Sequence, residues 1–237
     1  MGHAYLIAAH HQMELLQILL QLIDDERNDI YLHVDKKCKE FEEEAVKKMI
    51  QKAKIHFLKR KSVTWGGYSQ IQLELELLKE STQSYHDVYH LISGVDLPLK
   101  TQDEIYNFFD VNKGMQIVSY DYKMDMDDIT NRMAQYRIFQ DIYGNKKNFL
   151  FKIDAISVRL QKLIGINRIK HNSELIKKGA NWFSITHEFA KYVINKEEEI
   201  RKRYKFTRCC DEIFLQTLLY NSSYSTKVYF NEDANRC

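Results

Sequence analysis

The chain has 237 residues, 35 of them basic and 33 acidic, for a formal net charge of +2. With 44% hydrophobic and 29% charged residues it is too apolar for intrinsic disorder, and too evenly charged for the basic stripe of a nucleic-acid binder. The length suits one large domain with a proper core, so residues 1–237 are taken as a single unit.

Cys38, Cys209, Cys210 and Cys237 have no zinc-like spacing, and a reduced, cytosolic setting is the plain expectation. No apolar run reaches the length of a membrane span, and the one at residues 5–9 is too short for a signal peptide. The expected location is the cytoplasm, with any membrane contact peripheral and on the inner face.

In chain order, residues 4–9 (AYLIAA) read as a buried strand. Residues 13–23 then place Leu15, Leu16, Leu19, Leu20 and Ile23 on one helical stripe. A second strand, 29–34, ends on Asp35-Lys36-Lys37. A charged helix over 40–53 and a short strand over 55–58 follow. The turn Val63-Thr64-Trp65-Gly66-Gly67 leads into a helix over 69–79, with Ile71, Leu75 and Leu78 on one face. A further strand runs into Ser93-Gly94 and the acid Asp96, just before Pro98, the only proline. Thr101 and Glu104 have capping-box spacing and predict a helix start. Alternating strand and helix argue for a parallel, Rossmann-like sheet over the first hundred residues.

The second part is less regular. A strand is expected over 115–120, mostly helix over 129–164, a strand over 182–185, a helix over 188–204, a helix over 211–219 and a last strand over 228–230.

Candidate chemistry gathers at strand ends. Asp35, after His33, stands where an acid can bond a ribose hydroxyl or a base amide; the alternative is a cap followed by solvated lysines. The first turn, Ala8-Ala9-His10-His11-Gln12, has none of the glycines of a dinucleotide fingerprint. Asp211 and Glu212 open a helix, where they serve either as dipole-favoured caps or, facing a pocket, as a base for a bound hydroxyl. Trp182 offers a flat face for a pyranose or simply packs in the core. Asp125-Met126-Asp127 has the Asp-x-Asp form that can hold Mg or Mn, in what reads as a polar loop or helix start. His3, His10, His11, His33 and His56 form no His-x-x-x-His pair with an acid, so no zinc site is expected.

Six segments in order, AYLIAAH from Ala4, IYLHVDKK from Ile30, VTWGGYS from Val63, YHLISGVDLPLK from Tyr89, GANWFSITHEFAKY from Gly179 and DEIFLQT from Asp211, resemble the core-2/I-branching β-1,6-N-acetylglucosaminyltransferase family, including its bacterial members. The resemblance implies an α/β, GT-A-type fold: a Rossmann-like mixed sheet flanked by helices, with 1–110 as the nucleotide-binding half and 111–237 as the acceptor side. It implies inverting transfer from a UDP-sugar, N-acetylglucosamine by preference, to a glycan or lipid-linked saccharide, with no cofactor, no metal and no nucleic acid.

Under that resemblance Glu212 is the general base. Asp35, His10, His33, Trp65, Gly66, Ser93, Gly94 and Asp96 form the donor site, with Asp96 in its floor. Trp182 and Asp211 face the acceptor. The family's basic segment after residues 227–231 is expected to be missing, which leaves Lys227, Arg236, Arg60, Lys100 and Arg208 as candidates to neutralise the diphosphate. Two other readings remain open: a metal-dependent transferase using Asp125 and Asp127, and a non-catalytic sugar-nucleotide or glycan-binding module.

Overall fold

A computed structural model describes residues 2–121, 123, 125–170 and 175–230. The elements, in order, are β1 (His3–Ala9), α1 (Met13–Leu22), β2 (Asn28–Val34), α2 (Glu43–Met49), β3 (Lys54–Phe57), α3 (Tyr68–Ser81), β4 (Val88–Ser93), α4 (Gln102–Val111), β5 (Ile117–Val118), α5 (Met126–Met133), α6 (Gln140–Tyr143), α7 (Phe149–Leu163), β6 (Phe183–Thr186), α8 (His187–Asn195), α9 (Glu197–Tyr204) and α10 (Asp211–Tyr220), then a short 3-10 turn over Ser223–Lys227.

The strands form one sheet in the order β3-β2-β1-β4-β6-β5. β1 pairs in parallel with β2 on one side and β4 on the other, and β3 extends β2 in parallel. β6 runs antiparallel to β4 and to β5, so the sheet is mixed. Covered on both faces, β1 needs apolar residues at nearly every position, and its run of leucine, isoleucine and alanine meets that need.

Alternation along the strands feeds two cores. Ala4, Leu6, Tyr89 and Leu91 face α3, α8 and α10, packing with Ile71, Leu78, Phe189 and Phe214. Tyr5, Ile7, Ile30 and Leu32 face the other way, onto Leu16, Leu19 and Leu20 of α1 and Val46 of α2.

Strand order reverses at β1, because β2 and β4 leave it on opposite sides. In an open α/β sheet, a crevice forms beyond the carboxyl ends of such strands. There Gly94 follows β4 so closely that a Cβ on it would lie 2.6 Å from the Cβ of Ala9. Only glycine lets the β4 turn sit against the end of β1. The capping box forms as predicted: Thr101 Oγ1 accepts from the Glu104 N–H at 3.3 Å, and the Thr101 N–H donates to Glu104 Oε2 at 3.0 Å.

Several expected boundaries shift. The helix expected over 188–204 divides at Lys196, where three glutamates open α9 and are favoured by the positive end of a fresh helix. The 129–164 stretch becomes α5, α6 and α7. The charged helix over 40–53 contracts to α2, and the strand over 115–120 to two residues. Trp182 lies just ahead of β6. The last strand is reduced to a single parallel bridge between Gln116 and Val228. Cys237, Arg236 and the end of the 227–231 stretch lie outside the described residues.

At the far end of the sheet from the crevice, a buried histidine chain ties three strands together. His90 Nδ1 meets Ser184 Oγ at 2.8 Å, and His90 Nε2 meets His3 Nδ1 at 3.0 Å. Burial lowers the pKa of His3 to about 4 and that of His90 well below its ordinary value. Both rings are therefore neutral in the fold, while the unfolded chain takes up protons near pH 6.5. The stability this provides is complete above that pH and is lost as pH falls toward 4. The expected outcome is a Tm that drops across this window, with His3 alone costing on the order of 2 kcal/mol. Thermal melts from pH 7.5 to 4, set against His3→Gln, test it; a profile unchanged by the substitution rejects the assignment.

Candidate active site

A cleft of about 810 Å³ opens beyond the carboxyl ends of β1, β2 and β4. One wall is His10, His33, Asp35 and Ser93, from the three strand ends. Also lining it are Asn181 and Trp182 ahead of β6, with Asp211 and Glu212 from the first turn of α10. Trp65, Gln70 and Glu74 come from the loop before α3 and from α3 itself, and Lys146 from the segment before α7.

Of the predicted site residues, Asp35, His10, His33, Trp65, Ser93, Trp182, Asp211 and Glu212 line this one space, although up to two hundred positions separate them. Both tryptophans of the chain are among them, and both are partly exposed. Asp35 is held rigidly: Oδ1 accepts from the Lys37 N–H at 2.8 Å and Oδ2 from the Val63 N–H at 2.9 Å. These bonds staple the end of β2 to the loop that carries Trp65. His33 Nε2 accepts from the Lys61 N–H at 3.1 Å, and burial lowers its pKa, so the ring is neutral with its proton on Nδ1.

Gly66, Gly94 and Asp96 do not line the cleft. Asp96 folds back on its own turn, where Oδ2 accepts from the Ser93 N–H at 2.7 Å. The lone acid before the proline is thus a brace for the end of β4, not a floor for the pocket. Gly66 works from behind. Its φ of +67° and the Cys209 Sγ, 2.8 Å from where a Cβ would stand, both demand glycine. Its carbonyl accepts from the Cys209 N–H at 2.9 Å and ties the Trp65 loop to the start of α10.

Of the expected cations, Arg60, Lys100 and Arg208 also lie off the cleft wall. The Arg60 guanidinium caps the carbonyls of Val34, Asp35 and Cys38, and Lys100 pairs with Glu104 at 3.1 Å. Lys227 leaves through its carbonyl, bonded to the Gln116 N–H. Among the described residues, the lysines that do line the cleft are Lys37 and Lys146. Asp125 and Asp127 lie outside it too; Asp125 Oδ1 caps α5 through the N–H groups of Asp127 and Asp128.

Two groups at the centre escaped the sequence reading. Arg132, on α5, donates through Nη1 to Glu212 Oε2 at 2.6 Å and to the Cys209 carbonyl at 2.9 Å, while its Nε holds Asp128 Oδ1 at 2.9 Å. Nothing local in the sequence links residues 80 positions apart. Glu74 did leave a signal, because it sits on the same helical stripe as Ile71, Leu75 and Leu78. It is buried, and neither carboxyl oxygen has a hydrogen-bond partner among the described residues.

Burial, reinforced by the nearby Asp211 charge, raises the Glu74 pKa well above normal, with Asn181 pulling the other way. Burial, with Glu212 next to it, lifts Asp211 to about 6; its Oδ2 accepts from Gln70 Nε2 at 3.1 Å and its Oδ1 is unpartnered. Behind Glu212 the cleft therefore has two acids whose pKa values burial raises, Asp211 to about 6 and Glu74 well above its ordinary value.

The sequence profile of the Core-2/I-Branching enzyme family matches residues 3–235. The chain belongs to this family. Among its relatives, rat xylosyltransferase 2 is 23% identical over 243 residues, covering 92% of this chain and 24% of the relative. A human N-acetyllactosaminide β-1,6-N-acetylglucosaminyl-transferase is 25% identical over 198 residues, covering 82% of this chain and 46% of the relative. The chain thus spans about a quarter of the length of its xylosyltransferase relatives. Among solved structures, apo mouse xyloside xylosyltransferase 1 aligns with a TM-score of 0.36 at 8% identity, over 92% of this chain and 81% of that one. No helix among the described residues of this family member is long and apolar enough to cross a membrane.

The acid pair makes a prediction. A carboxyl whose folded pKa is raised contributes stability that is present at low pH and lost as pH rises from its unfolded value through its folded one. Glu74→Gln removes that loss and offers an amide donor to neighbouring oxygens that lack one. The variant is expected to melt higher than wild type at pH 8, by about 1 kcal/mol or more, and level with it near pH 4.5. Parallel Tm–pH curves for the two proteins would show that Glu74 carries no raised pKa.

Proposed function

We propose that the chain is the catalytic unit of an inverting glycosyltransferase, moving a sugar from a UDP-sugar to a hydroxyl of a glycan acceptor with Glu212 as general base and no metal in the step. The observation that carries this reading is the setting of Glu212. It stands on the first turn of α10 with its carboxylate part-exposed in the cleft, held by Arg132, in the same space as the strand ends that carry Asp35 and His33. Family membership supports the reaction class, and the relatives named above are named for xylose or N-acetylglucosamine transfer. We take N-acetylglucosamine as the sugar because the six sequence segments resemble the β-1,6-N-acetylglucosaminyltransferases.

In this reading Glu212 accepts the proton of the acceptor hydroxyl as its oxygen bonds to the anomeric carbon. The bond from that carbon to the phosphate oxygen breaks on the opposite face, and its electron pair leaves with UDP, so configuration inverts in one displacement. Asp35 and His33 hold the base end of the nucleotide, with the Asp35 carboxylate already aimed by two backbone N–H groups. Lys37 and Lys146 are the cleft cations placed to meet the developing diphosphate charge. Trp182 offers its half-exposed indole face to the acceptor ring. Arg132 acts through Glu212 as a positioning residue.

Glu212→Gln is expected to cut UDP release in the presence of acceptor by about 10²–10⁴-fold. UDP-sugar binding, followed by the fluorescence of the two cleft tryptophans, should stay unchanged. Full turnover in this variant would remove the base assignment. Binding without any turnover in wild type would leave only a sugar-nucleotide-binding module. Turnover is also expected to survive EDTA; its loss, reproduced by Asp125→Ala, would move the reading to a metal-dependent transferase. Arg132→Gln should lower kcat about tenfold or more with nucleotide affinity unchanged, since a base swung off line loses rate and not binding.

A further inference from the structure

The helix α7 is built inside out. Its buried positions are Asp154, Val158 and Gln161, two of them polar. Asp154 accepts from the Tyr143 hydroxyl at 3.0 Å and lies 3.6 Å from Arg137 Nη1; Gln161 bonds the N–H and carbonyl of Tyr136 at 2.8 and 3.0 Å. Its outward side carries Phe149, Ile156, Leu160 and Leu163, between 56% and 82% exposed, with Ile164 following at 74%. Spacings of three, four and seven put these side chains on a single stripe. Phe151 and Val158 still turn inward, but a helix that spends buried positions on polar contacts and leaves four large apolar side chains on one exposed stripe carries an apolar face with no cover among the described residues.

The charges say which partner fits that face. Lys152, Arg159 and Lys162 are exposed on α7, and Lys146 and Lys147 just precede it. The only acid in α7, Asp154, is fully buried. Among the described residues none of these five cations has an acidic partner. A second copy docked about a two-fold axis would set this cationic face against itself. An anionic lipid surface meets both properties: apolar side chains enter the headgroup boundary and the lysines and arginine lie over lipid phosphates. The segment leading into α7, from Ile142 to Lys146, also lines the cleft. A membrane on this face would therefore sit beside the cleft mouth.

We propose that the exposed face of α7, with Lys147 just ahead of it, is a docking surface for an anionic membrane, one that sets the cleft against a membrane-borne acceptor. The docking itself stands independently of the transfer reaction, and its test reads no activity.

The experiment is flotation of the whole chain with vesicles of phosphatidylcholine alone or with about one third phosphatidylglycerol, at low and high salt. Wild type is expected to float with the anionic vesicles only, and to be released as salt screens the lysines. Leu160→Glu/Leu163→Glu should lower the vesicle-bound fraction about tenfold or more, with an unchanged circular dichroism spectrum and Tm because both positions are exposed. Three results would overturn the proposal: wild type that does not float, flotation indifferent to the double substitution, or light scattering that shows a dimer dissociated by it. The last would assign the face to a second copy.

Discussion

The parallel pairing of β1 with β2 on one side and β4 on the other is the constraint from which the rest of the site follows. It reverses the strand order at β1 and leaves a crevice beyond three carboxyl ends, where loops and not strands must fill the space. The crevice stays open because the turns that border it are fastened elsewhere. Asp96 holds the end of β4, Asp35 holds the end of β2 to the Trp65 loop, and Gly94 lets the β4 turn lie against Ala9. Asp96 and Gly94, which stand at a strand end without lining the cleft, are thus its scaffold, while Asp35 both fastens a turn and lines the space.

Electrostatics then separates three carboxyls that stand close together. Burial pushes the pKa of Glu74 well above its ordinary value; Asp211, buried but bonded to Gln70, is lifted to about 6. Glu212, next to Asp211 in sequence, reaches the open cleft and an arginine instead. Environment, not residue type, therefore sets the three acids apart: one reaches the cleft and an arginine, one is sealed in with its pKa raised, and one lies between. The same interior logic operates at the opposite end of the sheet, where burial keeps the His3–His90 pair neutral and turns it into a hydrogen-bonded clasp across β1, β4 and β6.

The second half of the chain departs from the regular βα alternation, and most of the misplaced element boundaries fall there. Short helices such as α5 and α6 are tied to the rest of the fold by side-chain contacts beyond their own turn, among them Arg132 reaching Glu212 and Tyr143 reaching Asp154. None of these contacts leaves a periodic trace in the sequence. The α7 helix inverts the usual rule of amphipathic packing, so its pattern read alone points the wrong side to the core.

What the sequence by itself determined is what depends on near neighbours. The apolar run of β1, the stripes of α1 and α3, the Thr101–Glu104 box and the acids placed after strands are all legible because strand and helix periods and caps are local. The order of the six motifs was enough to name the family. Tertiary structure alone decided which acids face solvent, which meet an arginine and which are sealed in. It drew Asp96, Gly66 and Arg60 out of the cleft wall and put Glu74, Arg132 and Lys146 in or beside it. The physical reason is that a carboxyl's ionisation and a cation's reach depend on burial and on partners far away in sequence, and those exist only once the sheet has brought the strand ends together.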